Sequence, residues 1–157
     1  MDKILNLLEE NATYTVEQLA AMCDRSEDEL RATIDNYEKE GVILGYKALV
    51  DWDKTDREYV SAFIEVKITP KHDFGFDTVA RTISQYPEVQ SVYLMSGVFD
   101  LAVLIEGKTL REVAYFVTHK LSTLEDVMSC STHFVLRKYK DKGVEYRVPD
   151  VDQRGEI

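Results

Sequence analysis

The chain reads as an α+β protein: a three-helix helix-turn-helix module at the N-terminus, followed by a βαββαβ, ferredoxin-like domain. Three observations predict this. Apolar residues recur at helical spacing three times before Gly41, and capping-box pairs precede the second and third of these runs. The pattern then switches to extended, β-branched runs at Val42. From Tyr59 onward the order strand, helix, strand, strand, helix, strand can be followed to Tyr139.

Ile4, Leu5, Leu7 and Leu8 give residues 2–11 one apolar face, with Asn11 as the stop. Thr15 offers an N-cap with Gln18 as its capping-box partner, and Val16, Leu19 and Ala20 form the buried side of a short second helix. Ser26 and Glu29 repeat the signature. Leu30, Ile34 and Tyr37 then fall at i, i+4 and i+7, and Gly41 is placed to end this third helix in a left-handed conformation. Met22 to Arg25 join the second helix to the third, a tight connection of helix-turn-helix type. Residues 1–50 therefore form the helix-turn-helix domain, its last stretch (Val42–Leu44 and Tyr46–Val50) extended.

Residues 51–58, polar apart from Trp52, are expected to be a linker, and residues 59–143 the second domain. Its first strand begins at Tyr59 and stops at Pro70. Phe76, Val79, Ala80 and Ile83 mark a helix that ends before Pro87. Val89–Met95 and Phe99–Ile105 flank Ser96-Gly97-Val98, read as a short hairpin connection. Thr109 and Glu112 form a further capping box, with Val113, Phe116, Val117 and Leu121 on one face, and Val127–Tyr139 is the last long strand. One sheet with both helices on one side leaves its other side to be covered, which predicts self-association there. Residues 144–157 are a charged, loosely patterned tail, expected to be mobile at its end.

With 45% hydrophobic and 31% charged residues the composition is that of an ordinary globular protein. No apolar run approaches the ~18 residues of a membrane span, and Met1-Asp2-Lys3 opens no signal peptide. Cys23 and Cys130 lie far apart, outside any CxxC spacing, and read as reduced thiols of a cytoplasmic protein. The net charge of −10 taken alone argues against polyphosphate partners. Residues 1–50 carry much of it, with five basic and eleven acidic side chains.

The histidines, His72, His119 and His133, stand outside any metal-ligand spacing, and no nucleophile elbow, P-loop or dinucleotide fingerprint is present. No catalytic residue, metal or cofactor is expected. In a helix-turn-helix the second of the paired helices enters the major groove. With Leu30, Ile34 and Tyr37 inward, residues Asp28, Arg31, Ala32, Asp35, Asn36 and Lys39 turn outward, with Ser26 at the N-cap. Arg31 suits guanine, Asn36 adenine and Lys39 phosphate, while Asp28 and Asp35 oppose them. Read from charge alone, the same unit also suits a packing or interaction domain. A second motif is Ser96-Gly97-Val98-Phe99-Asp100. Its glycine frees backbone N–H groups to approach a carboxylate, and Asp100 could hold an ammonium, the two ends of a free amino acid. The spacing alone also fits an ordinary turn. Cys130 to Phe134 could supply side chains to the same rim, or simply alternate within a sheet.

Four segments together resemble the leucine-responsive regulator/AsnC (Lrp/AsnC, feast/famine) family of transcription regulators, across residues 2 to about 143. They are Ile4 to Asn11, Ser26 to Tyr37, Glu38 to Tyr46 with its Gly-x-Ile-x-Gly-Tyr-like end, and Tyr93 to Asp100 with Ser-Gly-x-Phe-Asp. The resemblance implies an N-terminal DNA-binding module, a linking strand, and a C-terminal effector domain. That domain forms homodimers and often octamers, with amino acids bound between dimers. It implies effector contacts at Leu94, Gly97, Phe99 and Asp100, a response position at Leu110, and last-strand contacts from Thr132, His133 and Phe134. His133 stands where the family more often has another residue, and the recognition helix, commonly basic in the family, here carries Asp28 and Asp35. The implied function is an amino-acid-responsive regulator of transcription. Two other readings are an effector-sensing interaction subunit without a grip on DNA, and an AsnC-like sirohaem-type decarboxylase subunit. The decarboxylase site needs clustered Arg, Lys and His to hold many carboxylates, and none gathers near the hairpin.

Overall fold

The structure is a computed structural model and describes residues 2–69 and 75–146. The expected strand end at Pro70, His72, and residues 147–157 of the tail lie outside the described residues. The chain divides into two compact units, one through Val50 and one from Asp51 on.

The first unit is three helices: α1 (Lys3–Glu10), α2 (Val16–Cys23) and α3 (Glu27–Lys39). Each starts on a side-chain cap that satisfies backbone donors a helix leaves orphaned. Asp2 accepts from Ile4 N–H, and Thr15/Gln18 and Ser26/Glu29 form the two expected capping boxes. Ile4, Leu19, Ala20 and Leu30 make the core, with Leu7, Leu8, Tyr14, Val16 and Ile34 packed around it. Leu30 is fully buried, a position where removing the side chain costs about 2–5 kcal/mol. The stop at Gly41 is a Schellman motif. Val42 N–H donates to Tyr37 O at 2.8 Å, Gly41 N–H donates to Glu38 O at 3.2 Å, and Gly41 has φ +70°. Beyond it the expected extended segment 42–50 forms no ladder among the described residues. Its Val42, Leu44, Tyr46, Leu49 and Val50 are exposed, because a lone strand has no neighbour here to donate to.

The second unit opens with a 3₁₀ turn, Trp52–Lys54, followed by β1 (Val60–Ile68), α4 (Gly75–Ser84), β2 (Val89–Leu94), β3 (Leu101–Gly107), α5 (Leu110–Phe116) and β4 (Val127–Phe134). The α5 helix widens into a π-type turn over Val117–Leu121. The strand order β2-β3-β1-β4, antiparallel throughout, is the ferredoxin-like arrangement. Period-two alternation divides the sheet cleanly. Ala62, Ile64, Val66 and Ile68 of β1 and Leu101, Val103 and Ile105 of β3 join Val79, Ile83, Val113, Phe116 and Leu121 of the helices in one core.

Three expectations are corrected. The β2–β3 connection is wider than Ser96–Val98: the strand begins at Leu101, and Phe99 lies in the loop. The reason is that Asp100 N–H turns to β1, donating to Val66 O at 3.0 Å, while its carbonyl accepts from Met95 N–H at 2.8 Å. The last strand stops at Phe134 rather than Tyr139. The chain after it turns into a small hairpin, β5 (Lys140–Asp141) with β6 (Val144–Glu145), where a loose tail had been expected to begin. Lys142 and Gly143, at φ +47° and +82°, form the two-residue turn that such hairpins favour.

Candidate functional site

The outward face of α3 matches the expected one. Ser26, Asp28, Arg31, Ala32, Asp35, Asn36 and Lys39 are all exposed, while Leu30 is buried and Ile34 and Tyr37 are half-buried. The Tyr37 hydroxyl donates to Asp2 at the start of α1, which tethers the inner face of α3 across the unit and holds the Asp2 carboxyl below its usual range. The Ser26 hydroxyl is committed as a cap, accepting from Glu29 N–H at 3.3 Å. Arg31, the residue best suited to a guanine edge, lies 3.4 Å from the Glu27 carboxylate one turn before it, an exposed pair. Such pairs are worth well under about 1 kcal/mol, so Glu27 yields readily to a better acceptor.

In the second unit the expected effector residues do not form one cluster within the chain. Leu94, Gly97, Phe99 and Asp100 gather at the β2–β3 loop, beside the end of β1 at Val66–Ile68. The backbone N–H groups of Ser96, Gly97 and Val98 donate to nothing among the described residues. Asp100 is already engaged: its Oδ2 accepts from Ile68 N–H at 2.8 Å, where the β1–β4 register shifts. Leu110 begins α5 at the other end of the sheet, where β3 ends at Gly107 opposite Val60. Six residue steps along β3 separate Leu101 from Gly107, roughly 20 Å.

The expected last-strand trio is also divided, by alternation. His133 pairs with Phe63 on the uncovered sheet face, whereas Thr132 and Phe134 pair with Ile64 and Ala62, whose side chains point to the helices. Of the three, His133 alone lies on the open face. There it meets residues the sequence reading passed over. Phe63 lies edge-on to Phe99, with ring centroids 6.0 Å apart, and 6.2 Å from the His133 ring. His133 Nε2 lies 3.5 Å from Glu65 Oε1 and 3.4 Å from Ser131 Oγ. The signal was available: alternation through Phe63, Glu65 and Lys67 puts these residues opposite the buried Ala62, Ile64 and Val66.

The described residues hold no helix long and apolar enough to cross a membrane, and no cluster of metal-ligating side chains.

The Lrp/AsnC ligand-binding domain model matches residues 61–145. The HTH-type transcriptional regulator YugG of Bacillus subtilis is 48% identical over 153 residues, covering 97% of this chain and 92% of that protein. Among solved structures, a Neisseria meningitidis transcriptional regulator in complex with L-methionine superposes with a TM-score of 0.70 at 25% identity, covering 90% of this chain and 93% of that one. An AsnC-family regulator from Agrobacterium tumefaciens gives 0.69 at 25% identity, covering 95% and 97%. A family model spanning more than half of the chain, together with a relative nearly half identical along its whole length, establishes that the chain belongs to the Lrp/AsnC family of transcriptional regulators.

Proposed function

We propose that the protein is an amino-acid-responsive DNA-binding regulator. Its α3 enters the major groove with Arg31 and Asn36 toward base edges and Lys39 toward phosphate, and an amino acid at the β2–β3 loop biases assembly and thereby DNA binding. The observation that carries the DNA half is the fully exposed outer face of α3 on a firmly capped and tethered helix. The effector half is supported by the undonated N–H groups at Gly97 and by the L-methionine complex of the Neisseria relative. Homodimers, and higher assemblies such as octamers, formed through the uncovered sheet face would present two reading helices to half-sites about 34–36 Å apart. The ligand acts by preferring one assembly state over another.

Gel-shift and footprinting on the protein's own promoter at low salt, with and without L-methionine and pooled amino acids, test this. A specific complex whose affinity or footprint changes with an amino acid supports it. Absence of any specific complex at low salt overturns the DNA half. The acidic surface of residues 1–50 favours a second reading, an effector-sensing interaction subunit. The salt slope separates the two, because phosphate contacts release counterions and affinity then falls steeply as salt rises.

A further inference from the structure

A cavity of about 760 Å³ opens at the α5 end of the sheet, within the range of small-molecule sites. Besides the core side chains Ile105, Val113 and Phe116, each only 1% exposed, its apolar lining is Tyr59, Pro87 and Tyr115. One wall is the ion pair of Glu88 with Lys120, which the π-type turn carries over the rings of Tyr86 and Phe116 at 5.4 and 5.8 Å. Tyr86 and Phe116 lock edge to face at 5.5 Å, so that wall is firmly built.

The charges around the cavity are unevenly matched. Glu88 is held by Lys120, Glu106 lies 3.9 Å from both Arg57 and Lys138, and Glu112 accepts from Lys108 N–H at 2.7 Å. The side chains of Lys108 and Arg111 have no partner among the described residues, and of the lining carboxylates Glu58 alone is similarly unengaged. In a chain of net charge −10, the lining balances four cations (Arg57, Lys108, Arg111, Lys120) against four carboxylates (Glu58, Glu88, Glu106, Glu112), and two of the cations are uncommitted. An anion that also has an apolar body uses both features, since charge-assisted contacts fix one end and burial the other.

We propose that this cavity is a binding site for a small organic carboxylate, its carboxylate held by Arg111 and Lys108 and its apolar body set against Tyr59, Pro87 and Tyr115. It lies at the end of the sheet away from the β2–β3 loop and stands whether or not that loop binds an effector.

The cavity carries its own reporter. Arg57 lines it, and the Arg57 guanidinium lies 4.3 Å over the ring of Trp52, the only tryptophan of the chain. The experiment titrates the full-length protein with phenylacetate and with 4-methyl-2-oxopentanoate, following tryptophan fluorescence and, in parallel, calorimetric heat. Saturable binding of either acid is expected. Phenylacetamide, which lacks the charge, is expected not to bind. Arg111→Ala, an exposed position whose loss leaves the core intact, is expected to weaken binding about tenfold or more, the loss of one charge-assisted contact. The proposal is overturned if neither acid gives heat or a fluorescence change, if phenylacetamide binds as well as the acid, or if Arg111→Ala and Lys108→Ala both bind unchanged. It is equally overturned if Asp100→Asn abolishes the response, which would put the ligand at the β2–β3 loop.

Discussion

The Asp100 carboxylate, in the loop before β3, accepts a hydrogen bond from the backbone N–H of Ile68 at 2.8 Å, at the point where the pairing of β1 with β4 slips register. The β1–β3 ladder ends at Val66 opposite Leu101, so Ile68 N–H, two residues farther along β1, has no ladder partner, and the Asp100 side chain satisfies it instead. Asp100 thus secures the sheet end against which the β2–β3 loop is built. Asp100→Ala is expected to destabilise the second unit by about 1–3 kcal/mol, the cost of a half-buried donor left unmade. Asp100→Asn retains an acceptor oxygen and is expected to cost less. Urea unfolding of both variants measures this, and equal stability of Asp100→Ala and the parent would remove the structural role.

Gly41 ends α3 at φ +70°, and a Cβ built there meets nothing within 4 Å. The position is therefore demanding in conformation and undemanding in space. Gly41→Ala is expected to lower stability by about 1–2 kcal/mol through backbone strain alone. A Gly41→Asn variant should recover part of that loss, since asparagine tolerates the left-handed region better. Far-UV circular dichroism followed through thermal unfolding gives the comparison, and an unchanged Gly41→Ala midpoint would contradict it.

Burial pushes the Tyr59 phenol up to about 12, with the Asp53 carboxylate, to which its hydroxyl donates at 3.2 Å, adding to the shift. The folded state thus favours the neutral phenol more than the unfolded chain does. The sign follows: this contribution is complete below about pH 10, where a free tyrosine is still protonated, and is lost as pH rises from there toward 12. Stability of the parent should fall over that interval more steeply than that of Tyr59→Phe. Phenolate absorbance and urea unfolding between pH 9 and 12 test it; parallel curves for the two proteins would refute the coupling.

On α3, Glu27 pairs with Arg31, and Asp28 and Asp35 are exposed beside it. Asp35→Asn and Glu27→Gln are expected to tighten DNA binding at low salt several-fold, by relief of like-charge repulsion toward phosphate and by release of Arg31. Arg31→Ala is expected to cost about 1–3 kcal/mol on a specific site if it reads guanine. Gel-shift titrations on specific and scrambled duplexes report both. A loss for Arg31→Ala that is equal on the two duplexes would make Arg31 a phosphate contact.

Local chemistry made much of this legible beforehand. Thr15/Gln18, Ser26/Glu29 and Gly41 announce helix ends because capping is decided within four residues. The order of strands and helices follows from hydrophobic period in the same way. The width of the β2–β3 loop was not legible, because it depends on Asp100 N–H choosing Val66 O, a partner distant in sequence. The turn after the last strand could have been found from Gly143, a residue suited to positive φ. The division of Thr132, His133 and Phe134 between faces was also available from alternation. The site lining built from Arg57, Glu88, Glu106, Lys108 and Arg111 could not be read at all, since three strand connections bring those residues together.

The uncovered sheet face has a thermodynamic consequence. Phe63, His133 and Glu65 lie on the sheet face away from the helices with Phe99 beside them, and any copy that associates there joins the folded state while leaving the unfolded chain untouched. Folding and assembly then become a single mass-action equilibrium. The unfolding midpoint is expected to climb with protein concentration, so that the protein's own abundance sets how much of it stays folded.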